Sequence, residues 1–467
     1  MVGIEAIMLL MPMFVAIFSG ENWHAFLITA LIAAAIALLC IAVRPNDKPI
    51  YAKEGIFIVA SSWIVISALG AVPFVLDGTI PRYIDALFES VSGFTTTGAS
   101  ILSNVEALPR GVALWRSFTH WVGGMGVLVF VIAIVPQTNT NTMHVMRAEV
   151  PGVTVSKVLP RARNSALLLY GIYVVMTFVE VVLLFLGGMP LFDSLLNSFA
   201  TAGTGGFAIK NASIGAYGSA YFEYVIGIFM MLFGINFNMF YFLLLKRVGR
   251  VFRDEELRTY IAIIAASTLA ITLDLLNRYD SFWLALRRAF FQVASVITTT
   301  GFCTDDFNLW PTFSKIILFS LMFIGACGGS TGGGIKVSRI ILMFKKVRQD
   351  VVKMLRPNAV TAIRLDGRKV ESESIGGVMA FLSAYAIFVM LGLLIVSFDN
   401  FDFETTVSSV ITCISNVGPG FGAVGPAGNF STMSDLSKLV LSLEMLLGRL
   451  EIFPLVMFFS PRMYKKL

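Results

Sequence analysis

The sequence predicts an all-α polytopic membrane protein. Two N-terminal helices precede four fused units, each a helix, a re-entrant loop and a second helix, set around a central axis. Three observations carry this. Hydrophobic residues make up 57% of the 467 and charged residues only 14%, against about 25% charged in soluble proteins. Apolar runs of membrane-spanning length recur along the chain. A glycine- and threonine-rich break also returns four times between such runs: ESVSGFTTTGASIL (89–102), SFATAGTGGFAIKN (198–211), ASVITTTGFCTDDF (294–307) and ITCISNVGPGFGAV (411–424).

A spanning helix needs about 20 mainly apolar residues. The first candidate, Ile4 to Phe18, lacks a basic n-region and an A-x-A-like cleavage site, so it reads as a retained helix and not a signal peptide. Ten spans are expected: 3–20 and 24–43, then the pairs 54–76 and 112–135, 165–188 and 220–245, 257–276 and 312–344, 375–398 and 437–460. Within each pair lies a semi-apolar run too short to cross: 84–94, 192–202, 285–297 and 404–414. Such runs suit re-entrant half-helices. The expected organisation is 1–46 for the two N-terminal helices, then repeats at 47–147, 148–252, 253–360 and 361–467, a period of about 100 residues. The basic linkers 44–53, 136–163, 246–258 and 336–373, with the tail 461–467, hold most of the 35 Lys and Arg. They fall on one side if the spans alternate, which puts both termini in the cytoplasm and the four loops at the outer face. The segment KKVRQDVVKMLRPNAVTAIRLDGRK (345–369) is the most basic. Topology bias, a cytoplasmic partner and anionic lipid all suit it.

Aligned without gaps, the breaks place Gly98, Gly206, Gly301 and Gly418 in one column, preceded by Thr96–Thr97, Thr204–Gly205, Thr299–Thr300 and Asn416–Val417. A shift of one would put Gly205 in the column; Gly206 is preferred because Phe207 then matches Phe302. Unpaired backbone at membrane depth is tolerated where protein buries it or it lines a watery cavity. Four such loops around a common pore could turn their carbonyls inward and replace an ion's hydration shell. Glycine permits the positive φ this needs. Each half-helix would aim its partly negative C-terminus at the pore, favouring a cation. The column holds no acidic residue. A carbonyl cage suits K+, whereas divalent ions want carboxylates. The competing structural reading is close helix packing through small residues.

These loops, with ACGGSTGGGIKV (326–337) and MLLGRLEIFP (445–454), resemble the Trk/Ktr/HKT superfamily of cation transporters, most closely its bacterial TrkH/TrkG-type potassium-uptake subunits. The resemblance covers nearly the whole chain, including the two extra N-terminal helices. It implies a potassium-selective pore in the bacterial inner membrane, with K+ as the transported ion and no cofactor on this chain. It also implies a homodimer and a cytoplasmic ring of TrkA-type nucleotide-binding regulatory subunits. Nucleic acid is not an expected partner. By resemblance the filter is Thr96, Thr97, Gly98, Thr204, Gly205, Gly206, Thr299, Thr300, Gly301, Asn416, Val417 and Gly418. The chain departs from the simple pattern with AGTGG in loop 2 and SNVGPG in loop 4. A channel and a sodium- or proton-coupled symporter are both compatible with this frame.

A second glycine cluster interrupts the span 312–344: Gly325, Gly328, Gly329, Gly332, Gly333 and Gly334, with Ser330 and Thr331. Each glycine destabilises a helix by about 1 kcal/mol relative to alanine. By resemblance, 325–334 is an intramembrane gating loop under the filter, and Lys336 beyond it would feel a partner's movement. A static kink is the alternative. Gly328 to Gly332 is also a literal G-x-S-x-G, which in a hydrolase needs a preceding strand and His and acidic partners. None is evident around Ser330, so an intramembrane serine hydrolase is a distant rival and no enzyme is expected. Arg449 lies near the centre of the last span, where insertion scales give a cost of about 2.5–3.5 kcal/mol. It is expected either to oppose cation passage below the filter or to pair with Glu444, Glu451 or another helix. Asp85, Asp305 and Asp306 fall near the outer mouth as solvated charge or cation attractors. His120 reads as an interfacial residue. Asn236 and Asn238 suit the inner cavity or an interhelical bond.

Overall fold

The computed structural model describes residues 1–42, 52–126, 162–358 and 361–461. The linkers 44–53 and 136–163 fall mostly outside them, as do 127–135 of the expected second span of repeat 1 and the tail from 462.

The described chain is mostly helical. Helices α1 (Val2–Met8) and α2 (Leu10–Ser19) form one span, and α3 (His24–Ala42) the next. Then come α4 (Ala52–Gly70), α5 (Val72–Asp77), α6 (Tyr83–Phe94), α7 (Arg110–Gly124), α8 (Ala162–Leu186) and α9 (Leu191–Gly203). Next are α10 (Ala220–Phe233), α11 (Phe237–Leu244), α12 (Val248–Val251), α13 (Glu255–Asp274), α14 (Phe282–Ile297), α15 (Thr312–Ile324) and α16 (Val337–Leu355). The last are α17 (Ser372–Val396), α18 (Phe403–Ile414), α19 (Asp435–Arg449) and α20 (Phe453–Phe458). A two-residue antiparallel ladder, Arg364–Leu365 with Arg368–Lys369, is the one sheet among the described residues.

Among the described residues six helices are long and apolar enough to cross a membrane, or seven if the bent α10–α11 pair counts as one. The sequence predicts ten. Three of the four differences share one cause, and the fourth span, 112–135, lies partly outside the described residues. Spans expected to be continuous at 220–245 and 437–460 are broken, like the one at 312–344. Helices α10 and α11 meet at 92°. Helix α15 ends at Ile324 and α16 begins at Val337. Helix α19 ends at Arg449, and Glu451 and Ile452 take φ of +54° and +67° before α20 starts with Pro454 in its first turn. In the first unit α7 stops at Gly124, and Gly126 has φ +80°.

The short helices α6, α9, α14 and α18 are the elements predicted as half-helices. Their amphipathic faces pack in a closed cycle. Helix α7 lies on α9, α10 on α14, α15 on α18, and α19 returns to α6. Close approach is set locally by glycine. At Gly70 an added Cβ would meet the Phe94 ring at 2.6 Å and Ser90 Oγ at 2.9 Å. That fit seats α6 against α4, where Trp115 Nε1 also donates to the Gly70 carbonyl at 3.0 Å. The outer faces of α3, α8 and α17 stay apolar and exposed, as at Leu31, Leu38, Phe178, Ile387 and Leu394. Hydrocarbon demands such a surface, because it cannot hydrate polar groups.

Candidate cation-conducting site

Each half-helix is followed by two left-handed residues separated by one ordinary residue. They are Thr96 and Gly98 (φ +55° and +81°), Thr204 and Gly206 (+54° and +74°), Thr299 and Gly301 (+58° and +84°), and Asn416 and Gly418 (+56° and +97°). A non-glycine residue in this region is uncommon; four at matching positions mark a shared backbone geometry. All four loops are buried at these residues or nearly so.

The glycines define how the loops meet. A Cβ added to Gly98 would overlap the carbonyl oxygen of Gly205, and one on Gly206 the carbonyl of Thr300. One on Gly301 would overlap the carbonyl of Val417, and one on Gly418 would stand 2.6 Å from that of Thr97. The contact runs from loop 1 to 2, 2 to 3, 3 to 4 and back to 1. Hydrogen bonds above this level join the same neighbours. Arg116 Nη1 reaches Ala208 O at 3.4 Å and Gly215 N reaches Cys303 O at 3.1 Å. Asn308 exchanges two bonds with Gly422, and Phe430 N donates to Ser100 O at 2.9 Å. The structure thus brings together all twelve residues predicted for the filter. The C-termini of α6, α9, α14 and α18 end at the ring, so its field favours a cation.

Side chains hold the loops from outside. In loop 1 the Thr95 and Thr97 hydroxyls bond at 2.8 Å, and Thr95 donates to Val91 O at 2.7 Å. In loop 3 Thr298 and Thr300 repeat this at 2.8 Å, with Thr298 on Ala294 O at 2.7 Å. In loop 4 Asn416 Nδ2 donates to Thr97 Oγ1 and to Met445 O, both at 2.9 Å. Asp402 caps α18, accepting from Thr405 N at 3.0 Å and Thr405 Oγ1 at 2.6 Å. Those bonds hold its carboxyl below the usual range.

Beneath the ring lies the second glycine cluster. Its backbone is tied to three units. Cys327 N donates to Gly234 O at 3.1 Å, Phe237 N to Gly329 O at 3.0 Å, and Gly334 N to Ser415 O at 2.9 Å. Gly333 N donates to Thr299 Oγ1 at 2.6 Å, and an added Cβ at Gly332 would stand 2.8 Å from Thr298 O. Glu256 Oε1 accepts from Gly328 N at 2.7 Å and Ser338 N at 3.0 Å, closing the base of the loop. The bend at 233–237 follows from this threading, because Gly234 and Phe237 turn their backbone groups to the loop. Asn236 caps α11 through Asn238 N at 3.0 Å and packs against Gly329.

Arg449 spans the same level. It donates to Thr331 O at 2.9 Å, to Gly124 O at 2.6 Å and to Gly123 O, and lies 3.5 Å from Thr96 Oγ1. Of the partners weighed for Arg449, the bonds to Gly123 and Gly124 give it a tie to another helix, α7, while Glu451 pairs with Arg339. Glu444 lies against Gly392 and Val410. Several other expectations change. Lys336 is buried, with Nζ on Gly332 O, so it sits inside the loop and not at a surface. Ser330 Oγ donates to Cys327 O at 2.6 Å. His120 bonds Gly93 O and Phe207 N. His120 is fully buried, not interfacial. Asp85 pairs with Lys438 at 2.6 Å. Asp305 accepts from Trp310 Nε1 at 3.0 Å and from the Tyr279 hydroxyl, and Asp306 from Asn308 N at 3.0 Å. These carboxylates brace the outer loops.

Sequence reasoning passed over the Arg116–Glu89 pair, 2.8 Å apart and wholly buried. Glu89 also accepts from Ser100 Oγ and Ile101 N. The signal was present: two opposite charges in elements placed at membrane depth must find each other.

The family pattern described as TrkH, cation transport protein, matches residues 21–466. The chain belongs to the TrkH family. It is 37% identical to the Trk system potassium uptake protein TrkH of Salmonella typhimurium, over 98% of this chain and 96% of that one. It is 31% identical to the Trk system potassium uptake protein TrkG of Escherichia coli, over 98% and 96%. The crystal structure of the potassium transporter TrkH from Vibrio parahaemolyticus superposes with a TM-score of 0.88 at 31% identity, covering 99% of this chain and 97% of that chain. Membership makes this a multi-pass transport protein and not an enzyme.

Proposed function

We propose that this chain is the potassium-translocating membrane subunit of a Trk-type uptake system, built from four pore repeats at 47–147, 148–252, 253–360 and 361–467. One observation carries the reading: four left-handed glycines, each backed onto a carbonyl of the next loop, in a cycle that closes. K+ strips its water at carbonyls of residues 96–98, 204–206, 299–301 and 416–418 and is held by oxygen dipoles. The relatives' names, each a potassium uptake protein, support the choice of ion.

The loop 325–334 and Arg449 form the gate. They cross beneath the ring and are bonded to each other at Thr331 O, which makes this arrangement the closed one. The word "system" in the relatives' names supports further components. A homodimer with TrkA-type nucleotide-binding subunits on the cytoplasmic face fits the basic 345–369 segment. The loops then enter from the outer face of the inner membrane, and the membrane potential supplies about 2.3 kcal/mol per charge per 100 mV.

Flux through purified protein in liposomes tests the reading. K+ and Rb+ should pass far faster than Na+, and a K+ gradient alone should drive them. Flux that requires an opposing or accompanying Na+ or H+ gradient would replace the channel by a symporter. Absence of any monovalent cation flux with the gate residues removed would end the reading.

A further inference from the structure

Three filter loops carry a β-branched side chain just before the left-handed glycine: Thr97, Thr300 and Val417. Loop 2 carries Gly205 there, although its φ is not left-handed. Backbone conformation therefore does not demand this glycine. Space does. A Cβ at Gly205 would stand 2.5 Å from Nδ1 and 2.6 Å from Cδ2 of His120. The imidazole of α7 fills the volume that a threonine or valine side chain fills in the other loops.

The imidazole is fixed at both nitrogens. The Phe207 amide can only donate, so Nε2 accepts from it at 3.2 Å. Nδ1 then carries the proton and donates to Gly93 O at 2.7 Å. The ring is a neutral, single tautomer, stacked on Phe207 at 4.1 Å between centroids. It joins the end of half-helix α6 to the residue after Gly206. Arg116, one turn earlier on α7, extends the brace, with its guanidinium 4.0 Å from the Phe207 ring centre.

Loops 1 and 3 brace this position internally, through Thr95–Thr97 and Thr298–Thr300. Loop 2 has Gly203 and Gly205 at the two matching places and can form no such pair. We propose that His120 is the positioning residue of filter loop 2. Its imidazole replaces the hydroxyl pair that loops 1 and 3 carry within themselves. It thereby sets the direction of the Gly205 carbonyl, and with it the ion selectivity of that quarter of the ring. The proposal rests on the reading of these loops as a cation filter.

The test compares K+ and Na+ flux through purified protein in liposomes for wild type, His120→Ala, Gly205→Thr, the double variant and His120→Gln. Each single variant in the first pair should lower the K+/Na+ flux ratio by about tenfold, equivalent to about 1.4 kcal/mol. His120→Ala leaves loop 2 unbraced, and Gly205→Thr collides with the ring. The double variant should recover most of the loss, because the new side chain occupies the vacated volume. Glutamine, with one donor and one acceptor, should hold the ratio nearer wild type than alanine does. Wild-type protein that carries no cation would sink the filter reading itself. Selective wild-type protein with an unchanged ratio in folded His120→Ala and Gly205→Thr would overturn the proposal alone. So would a double variant whose loss is the product of the singles. Should the single variants fail to fold, a double variant that also fails, or that folds without selectivity, overturns it as well.

Discussion

Replacing Arg449 by glutamine removes a positive charge from the level just under the proposed filter and leaves a shorter, uncharged polar side chain. The guanidinium lies 3.5 Å from Thr96 Oγ1. At an effective dielectric constant of about 20, two unit charges about 4 Å apart repel by about 4 kcal/mol, and by about 2 kcal/mol at twice that separation. An ion leaving the ring at Thr96 passes within this range. Taking the smaller figure, loss of the charge lowers the barrier by about 2 kcal/mol, or about thirtyfold in rate. The substitution also releases Thr331 O from the arginine. Arg449→Lys separates the two effects, since it keeps the charge but cannot reach Thr331, Gly123 and Gly124 together. The assay is 86Rb+ uptake into proteoliposomes, normalised to folded protein. Glutamine should raise uptake by an order of magnitude or more and lysine much less. Uptake in the glutamine variant at or below wild type, with protein of normal yield and monodispersity, would refute the barrier and leave Arg449 a structural tie.

Other expectations follow from the same geometry. Gly206→Ala and Gly301→Ala should each abolish K+ flux, because the added methyl collides with a neighbouring carbonyl at a left-handed residue; uptake measurements check this. Glu89→Gln strands the buried Arg116 guanidinium and should cost about 3–5 kcal/mol, seen as a large fall in melting temperature in detergent. Asp402→Ala removes the cap of α18, at about 1 kcal/mol. Because the Asp402 carboxyl is held below its usual range, its contribution should persist above about pH 4. It should fade as pH falls through the lower folded-state value, a loss absent from the alanine variant. KCl should raise the melting temperature more than equal NaCl, since an ion bound only by the folded ring stabilises it by mass action.

The loops were legible because their chemistry is local. A glycine needed for positive φ stays visible wherever the chain folds, and four copies at one spacing gave the half-helices and the column Gly98, Gly206, Gly301 and Gly418. The breaks after α10 and α19 were not. FGINF carries a single glycine, which a helix tolerates; RLEIF carries none, but Pro454 after it was a local break signal that sequence reasoning passed over. What breaks them is distant in sequence: Cys327 and Gly329 claim the backbone at Gly234 and Phe237, and Arg339 draws Glu451 aside. His120 was misplaced for a related reason. A polar ring beside WVGG looks interfacial until the neighbouring unit supplies Phe207 N and the bare Cα of Gly205.

The proposed gate, read as closed, carries its own energetic scale. Among the ties that must break before loop 325–334 withdraws are three backbone bonds (Cys327 to Gly234, Phe237 to Gly329, Gly334 to Ser415), the Gly333–Thr299 bond and the Arg449–Thr331 bond. At about 1 kcal/mol net for each, opening is uphill by about 5 kcal/mol. Thermal fluctuation alone then opens few molecules, and six glycines lower the cost of refolding the segment elsewhere only in part. To bring such an equilibrium to half open, a ligand must bind the open form about five-thousandfold more tightly than the closed one, about 5 kcal/mol of differential binding. A regulator acting on the proposed gate through α16 meets that demand. Weakening the ties one at a time, as in Thr299→Val, should reduce that demand and raise basal flux in the absence of any partner. A basal flux that ignores these ties would place the rate-limiting barrier at the ring and not beneath it.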